Sequence, residues 1–373
     1  MSHDRGVSTT RYRSRYHLCF VDSLRTWGGA EVWLLETTLA LRHRGHEVSI
    51  VAAPDGELLR RARLAGVPVA AIPIRFDAAP WTLLRLWRHF RRQGVTAVVA
   101  NRTKDLKACA VACRPAGVPI VLNTRESDFP LKNKFYYRWY FRHGATGLVV
   151  ASEATRRTLL NSAPWLDAER IHLLYKGIDT GCFRPAPSAP DTPVAGFVGQ
   201  LITRKGIPEL MAAWSLLDAE VWHPRPRLIL AGEGPLKPEL ERWRAGLQHP
   251  DTVDLAGFVE DPAAFYRGLS TLVMPSHAEG FGLAAAEALA CGVPVIAGDA
   301  SSLPEIVTDG ISGRLVPAGD PDSLACALRD MLGDLPRARA WGATGRRHVL
   351  ERFPREVTLD RLLALTGHER NSS

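Results

Sequence analysis

The chain is expected to fold as two doubly wound α/β domains, each a mainly parallel sheet with helices on both faces, with a cleft between them. Three observations lead there. At 373 residues the chain is long for one compact core and comfortable for two. Short apolar, β-rich runs alternate with helical patterns from one end to the other, which is the grammar of βαβ units. A proline-rich stretch near the middle interrupts that alternation once, after which it restarts.

Taken in order, the run HLCFVDSL reads as a strand and Glu31–His43 as the helix after it. EVSIVAA then precedes a helix over Leu58–Ala65, and VPVAAIPI precedes one over Trp81–Arg92. TAVVAN, VPIVLN, TGLVVAS and RIHLLYKGID continue the pattern and close a first domain at residues 1–185. Pro185, Pro187, Pro190 and Pro193 in CFRPAPSAPDTPVAG disfavour helix and sheet interior and suit a stiff connector. The second domain, 186–345, runs through VAGFVGQL, a helix to Leu217, PRLILAGEG, VDLAGFV, STLVMPS, PVIAGDA and SGRLVPAG. Residues 346–373 are helical in pattern, and the sequence leaves their domain membership open. Open sheets of this kind bind ligands beyond the carboxyl ends of their strands, which places the site between the domains.

Composition narrows the class. With 46% hydrophobic and 23% charged residues the chain reads as a folded body rather than a disordered or fibrous one. No apolar run approaches the ~18–20 residues of a spanning helix, and the start lacks the apolar core of a signal peptide, so a cytoplasmic location is expected. The six cysteines form no C-x-x-C pair, and Cys109 and Cys113 are spaced as on one helix face; reduced structural thiols are expected ahead of zinc. Residues 1–190 carry 29 Lys and Arg against 15 Asp and Glu, whereas 191–373 carry 18 against 24. A half at +14 beside one at −6 invites nucleic acid, an anionic membrane face or a phosphorylated acceptor, or else has an arginine-rich solvated surface.

The most informative stretch is Pro275–Pro294, PSHAEGFGLAAAEALACGVP. It leaves an apolar strand, passes a glycine-punctuated turn and opens an alanine-rich helix. Gly280 and Gly282 permit close backbone approach around Phe281, and the first amides of a helix are unpaired, so phosphate oxygens can accept from them. Glu279 lies before the helix and Glu287 about two turns into it; paired carboxylates so held suit vicinal hydroxyls. The structural alternative is a carboxylate charging a helix N-terminus and a second one in solvent.

This Glu-x7-Glu arrangement, EGFGLAAAE, resembles the donor site of the retaining glycosyltransferases of family four, whose GT-B fold pairs two facing Rossmann-like domains across a cleft. Gly28-Gly29-Ala30-Glu31, GFVGQLITRKG at 196–206, LAGEGP at 230–235, GFVED at 257–261 and LPEIVTDGISGRLVP at 303–317 extend the resemblance in the same order over most of the chain. The resemblance implies that Glu287 holds the donor ribose, Glu279 contacts the transferred sugar, Phe281, Gly282 and Leu283 form the phosphate cradle, and Lys205 binds the diphosphate. It also implies donor contacts for Gly28, Gly29, Gly280 and Val259, and front-face transfer with retention, assisted by the departing phosphate. An ammonium at Lys205 would stabilise charge growing on the leaving nucleoside diphosphate in any case.

Two positions depart from the family pattern. Gln200 stands where many members have arginine, and Arg204 is the candidate substitute. Arg125, in NTRESDFP, stands where many members have histidine near the reacting sugar; arginine does not accept a proton at neutral pH, so an electrostatic or acceptor-binding role is expected, with Glu126 or Asp128 as partner. Asn101, Arg102 and Lys104, in the loop after TAVVA with Asp105, are further acceptor-side candidates. Tyr175, Lys176 and Gly177 are expected to close the last strand of the first domain. Asp320-Pro321-Asp322 reads as a helix cap, so neither a metal nor another cofactor is expected.

The expected partners are a nucleoside-diphosphate sugar and a glycan or lipid-linked acceptor, with bacterial lipopolysaccharide or another surface polysaccharide as the destination. Trp81–Arg92 and the basic, aromatic KNKFYYRWYFRH at 132–143 suit a peripheral contact with an anionic membrane, or sheet-packing helices with a solvated face. A sugar-nucleotide epimerase of similar architecture is the rival reading. Binding of nucleic acid is the third, and it is not expected, because the basic residues are dispersed and no recognised module is present.

Overall fold

The computed structural model describes residues 16–74, 79–187, 190 and 192–367. Strands β1 (His17–Asp22), β2 (Glu47–Ala52), β3 (Val69–Ala71), β4 (Ala97–Ala100), β5 (Ile120–Arg125), β6 (Gly147–Val150) and β7 (Ile171–Leu173) form one sheet, ordered β3-β2-β1-β4-β5-β6-β7. Strands β8 (Val194–Val198), β9 (Arg227–Ala231), β10 (Val253–Gly257), β11 (Thr271–Met274), β12 (Val295–Gly298) and β13 (Gly313–Val316) form the other, ordered β10-β9-β8-β11-β12-β13. Every pairing is parallel, and helices connect most of the strands. Two strands are shorter than their sequence runs: VPVAAIPI supplies only β3, and RIHLLYKGID supplies only β7.

Burial on both faces explains the near-continuous apolar strands. In β1, Leu18 and Phe20 pack on one face with Leu34 and Leu41 of the helix Gly29–His43, while Cys19 and Val21 pack on the other with Leu86 and Phe90 of Pro80–Gln93. In the second sheet Val273 and Ile296 face one core, and Leu272, Met274 and Val295 the other. Each chain order reverses at one place, β1/β4 and β8/β11, and in open sheets of this kind ligands bind outside the carboxyl ends of the strands at such a point.

The C-terminal segment divides between the domains. Helix Leu335–Arg352 lies on the second, where a Cβ on Gly342 would collide with the carbonyl of Gly292. The chain then crosses back: Ile178 donates its amide to the carbonyl of Phe353 at 2.8 Å, and helix Arg355–Leu365 buries Leu359, Leu362 and Leu363 in the core around Leu18 and Phe20. Asp320 caps the helix Pro321–Gly333 by accepting from the amides of Asp322 and Ser323, as the Asp-Pro-Asp pattern leads one to expect. Among the described residues no helix is long and apolar enough to cross a membrane.

Candidate active site

The loops that leave the two reversal points meet. Gly28 is the N-cap of the helix after β1, and a Cβ on Gly29 would lie 3.9 Å from the Leu283 side chain across the cleft. Gly282 caps the helix Leu283–Ala290 with φ of 92°, a left-handed conformation that glycine adopts without strain. Gly280 is needed for a different reason: a Cβ there would collide with the carbonyl of Glu126, on the loop after β5 of the opposite domain. The side chain of Phe281 turns into the core against Phe353, at 5.4 Å between ring centroids, which leaves its backbone on the turn.

Lys205 and Glu279 come together. Lys205 ends the short 3-10 turn after β8, and its Nζ lies 2.5 Å from Glu279 Oε1. Arg204 turns toward the same segment, donating to the carbonyl of Ala278 at 2.7 Å and lying over the Phe129 ring. Gln200 is exposed at the end of β8. Val259 lies in the loop after β10. Ser301, with φ of 58°, places its hydroxyl 2.6 Å from the carbonyl of Glu279 and 2.7 Å from Asp128 Oδ2, so its one proton is shared between the domains.

Glu287 is placed differently from the sequence reading. The helix begins at Leu283, so Glu287 stands little more than one turn in, not two. It is 6% exposed and receives the Tyr266 hydroxyl on Oε2 at 2.8 Å. Burial pushes its pKa up to about 8, with the Tyr266 hydrogen bond opposing in part.

Across the cleft, Asn101 is buried in the first domain and Arg102 beside it is partly exposed. The Asn101 amide donates to Asp22 and its carbonyl oxygen accepts from Thr124 Oγ1 at 2.7 Å. Arg102 donates to Glu31 at 3.1 Å beside Asp22. Asp105 is fully buried, and burial followed by the charge of Asp22 pushes both Glu31 and Asp105 up to about 7. Lys104 belongs to the first turn of helix Thr103–Ala116, not to a loop. Arg125 ends β5 and donates to the carbonyl of Phe129 at 2.8 Å and to Thr103 at 3.3 Å. Neither expected partner forms an ion pair with it: Glu126 pairs with Lys176, and Asp128 meets Ser301.

Two contributors, Tyr266 and Glu305, escaped the sequence reading, and a third, Lys176, was expected only to close a strand. Tyr266 holds Glu287 from 21 positions away. Glu305 accepts the Ala154 and Glu153 amides at 2.8 and 3.0 Å, capping a helix of the other domain, and also accepts the Tyr175 hydroxyl at 2.9 Å. Lys176 lies over the Trp33 ring as well as on Glu126, and with Tyr175 it follows β7 rather than ending it. Partners separated by such distances in sequence leave no local pattern.

Two parallel-sheet domains whose reversal-point loops converge on one cleft define the class: this is the GT-B architecture. The family pattern of group 1 glycosyl transferases matches residues 183–348, and that of glycosyltransferase family 4 matches residues 27–181. A D-inositol 3-phosphate glycosyltransferase of Xylanimonas cellulosilytica is 34% identical, the match covering 87% of this chain and 88% of the relative. The chain belongs to the group 1 and family 4 glycosyltransferases. Another D-inositol 3-phosphate glycosyltransferase, from Segniliparus rotundus, is 36% identical over 53% of this chain, and an alpha-maltose-1-phosphate synthase of Mycolicibacterium smegmatis is 30% identical over 56%. The matches span about half the length of those two relatives, 47% and 59%. Among solved structures, Anabaena HepE in complex with UDP-glucose superposes with a TM-score of 0.80 at 20% identity, covering 95% of this chain and 100% of that one.

Proposed function

We propose that the protein transfers a glycosyl group from a nucleoside-diphosphate sugar to a glycan or lipid-linked acceptor, with retention, in the assembly of a cell-surface polysaccharide. The observation that carries this reading is the Lys205–Glu279 pair at 2.5 Å beside the amides opening helix Leu283–Ala290. Those amides suit a diphosphate. Lys205, released from Glu279 by the incoming phosphates, neutralises charge on the leaving group, and Glu279 then turns to hydroxyls of the transferred sugar. Glu287, one turn deeper, suits the ribose diol. Front-face attack needs no protein nucleophile; the departing phosphate takes the acceptor proton.

A nucleotide donor is supported by the neighbour that holds UDP-glucose. A lipid-linked acceptor is supported by the exposed Phe135 and Trp139 beside Lys132, Lys134 and Arg138 on the first domain. Phe135→Ser/Trp139→Ser is expected to reduce co-sedimentation with phosphatidylglycerol vesicles; unchanged sedimentation removes that surface from the reading.

The test of the central reading is binding of UDP, GDP and ADP to the wild type, Lys205→Ala and Glu287→Ala. One nucleotide is expected to bind, weakened about tenfold or more by either change. Absence of binding, or folded variants that bind as the wild type does, would overturn it. Acceptor-dependent release of nucleoside diphosphate then reports transfer, whereas conversion of the donor to an epimer without acceptor reports the rival chemistry.

A further inference from the structure

A cavity of about 380 Å³ opens on the second domain, at the end of its sheet remote from the cleft. Its floor comes from residues entering β11 and β12, Leu269–Ser270 and Cys291–Pro294, whereas the turn bearing Glu279 leaves β11 at its other end. The linker at Pro185 and Pro190 forms one wall, and a stripe of helix Leu335–Arg352 forms the other. Backbone contacts set its shape: Gly342 admits no side chain against the Gly292 carbonyl, and a Cβ on Gly292 would lie 3.4 Å from Pro185.

Of the described lining, Arg267, Arg346 and Arg347 bring positive charge, Arg339 donates to the Pro190 carbonyl at 2.9 Å, and no carboxylate is among the described lining residues. Among the described residues Arg267, Arg346 and Arg347 form no ion pair. Arg346 is held by the carbonyls of Ala290 and Phe183, the latter at 3.1 Å, which orient its guanidinium without cancelling its charge. Like charges gathered in one concavity repel, and an anion relieves that cost. Guanidinium forks match the oxygens of a phosphate. The remaining walls are aliphatic, from Leu269, Val293, Leu335 and Leu350, and fit an apolar body rather than a hydrated one.

We propose that this cavity binds a phosphate monoester carrying an apolar group, clamped between linker and helix. Those are the segments adjoining the two places where the chain crosses between domains, so the occupant would tie them together. The proposal is independent of the donor reading.

Hexyl phosphate, inorganic phosphate and hexanol are titrated calorimetrically into the full chain, the Lys205→Ala variant and an Arg267→Glu/Arg347→Glu variant. Hexyl phosphate is expected to bind saturably and more tightly than inorganic phosphate, with hexanol silent. The double variant is expected to lose about tenfold in affinity, and Lys205→Ala to keep it. Arg267→Gln/Arg347→Gln serves if the glutamates disturb the melting transition. The proposal is overturned by absent binding, by equal affinity for inorganic phosphate, or by binding lost in Lys205→Ala and kept in the arginine variant. If it holds, vesicles containing phosphatidic acid separate the sources: co-sedimentation lost in the double variant assigns a lipid headgroup, and its absence assigns a soluble amphiphile.

Discussion

Glu287 is the residue whose chemistry the fold alters most. Its carboxyl, at about 8 when folded against 4.5 as the ordinary value, binds a proton that the unfolded chain releases between those limits. The native state therefore holds more protons in that window, and its contribution to stability is full below pH 4.5 and falls as pH rises toward 8. Glu287→Gln is expected to flatten this part of a urea-denaturation profile, removing a slope on the order of a few kcal/mol overall. A slope unchanged by the substitution would show that Glu287 is ionised when folded. Lys205 and Glu279 make a second case. Lys205→Ala strands a largely buried carboxylate and is expected to cost about 1–3 kcal/mol, part of which Glu279→Gln restores. Strictly additive effects in that double-mutant cycle would mean that the pair is not coupled.

The helix Leu283–Ala290 and the turn before it depend on backbone freedom more than on side chains. Gly282 sits at φ of 92° with Leu303 and Ile306 crowding the place of a Cβ, so Gly282→Ala is expected to destabilise by roughly 1–3 kcal/mol in thermal melts. Gly333 ends the helix Pro321–Gly333 with nothing near its Cβ position, and Gly333→Ala is the contrasting control, expected to be neutral or to stabilise by up to ~1 kcal/mol. Equal effects would mean that the conformation of the turn does not decide its composition. This element was legible in sequence because Gly, Phe, Gly and an alanine run each state a local requirement. The length of helix before Glu287 was not, since the cap at Gly282 depends on packing with Leu303.

For the whole molecule, the last helix is a strut between domains. Arg355–Leu365 belongs to the core of the first domain, and Arg44 binds Asp360 at 2.8 Å and Glu356. Truncation after Phe353 exposes Leu359, Leu362 and Leu363 partners such as Phe20, and is expected to lower the melting temperature of the first domain more than that of the second. Hydrogen exchange resolves the two; uniform loss would mean that the domains unfold as one unit. Glu305 adds to the same connection by capping the helix that begins at Glu153.

By itself the sequence determined what is periodic or locally constrained: apolar strands buried on both faces, the Asp320 cap and the glycine turn at 280–282. Only the tertiary structure decided which groups meet. Arg125 found Phe129 and Thr103 instead of its acidic neighbours, Asn101 turned inward onto Asp22, and the final helix returned to the first domain. The reason is physical. Backbone conformation and burial periodicity are set within a few residues, whereas ion pairs and buried hydrogen bonds go to whichever partner the packed chain brings within about 3 Å.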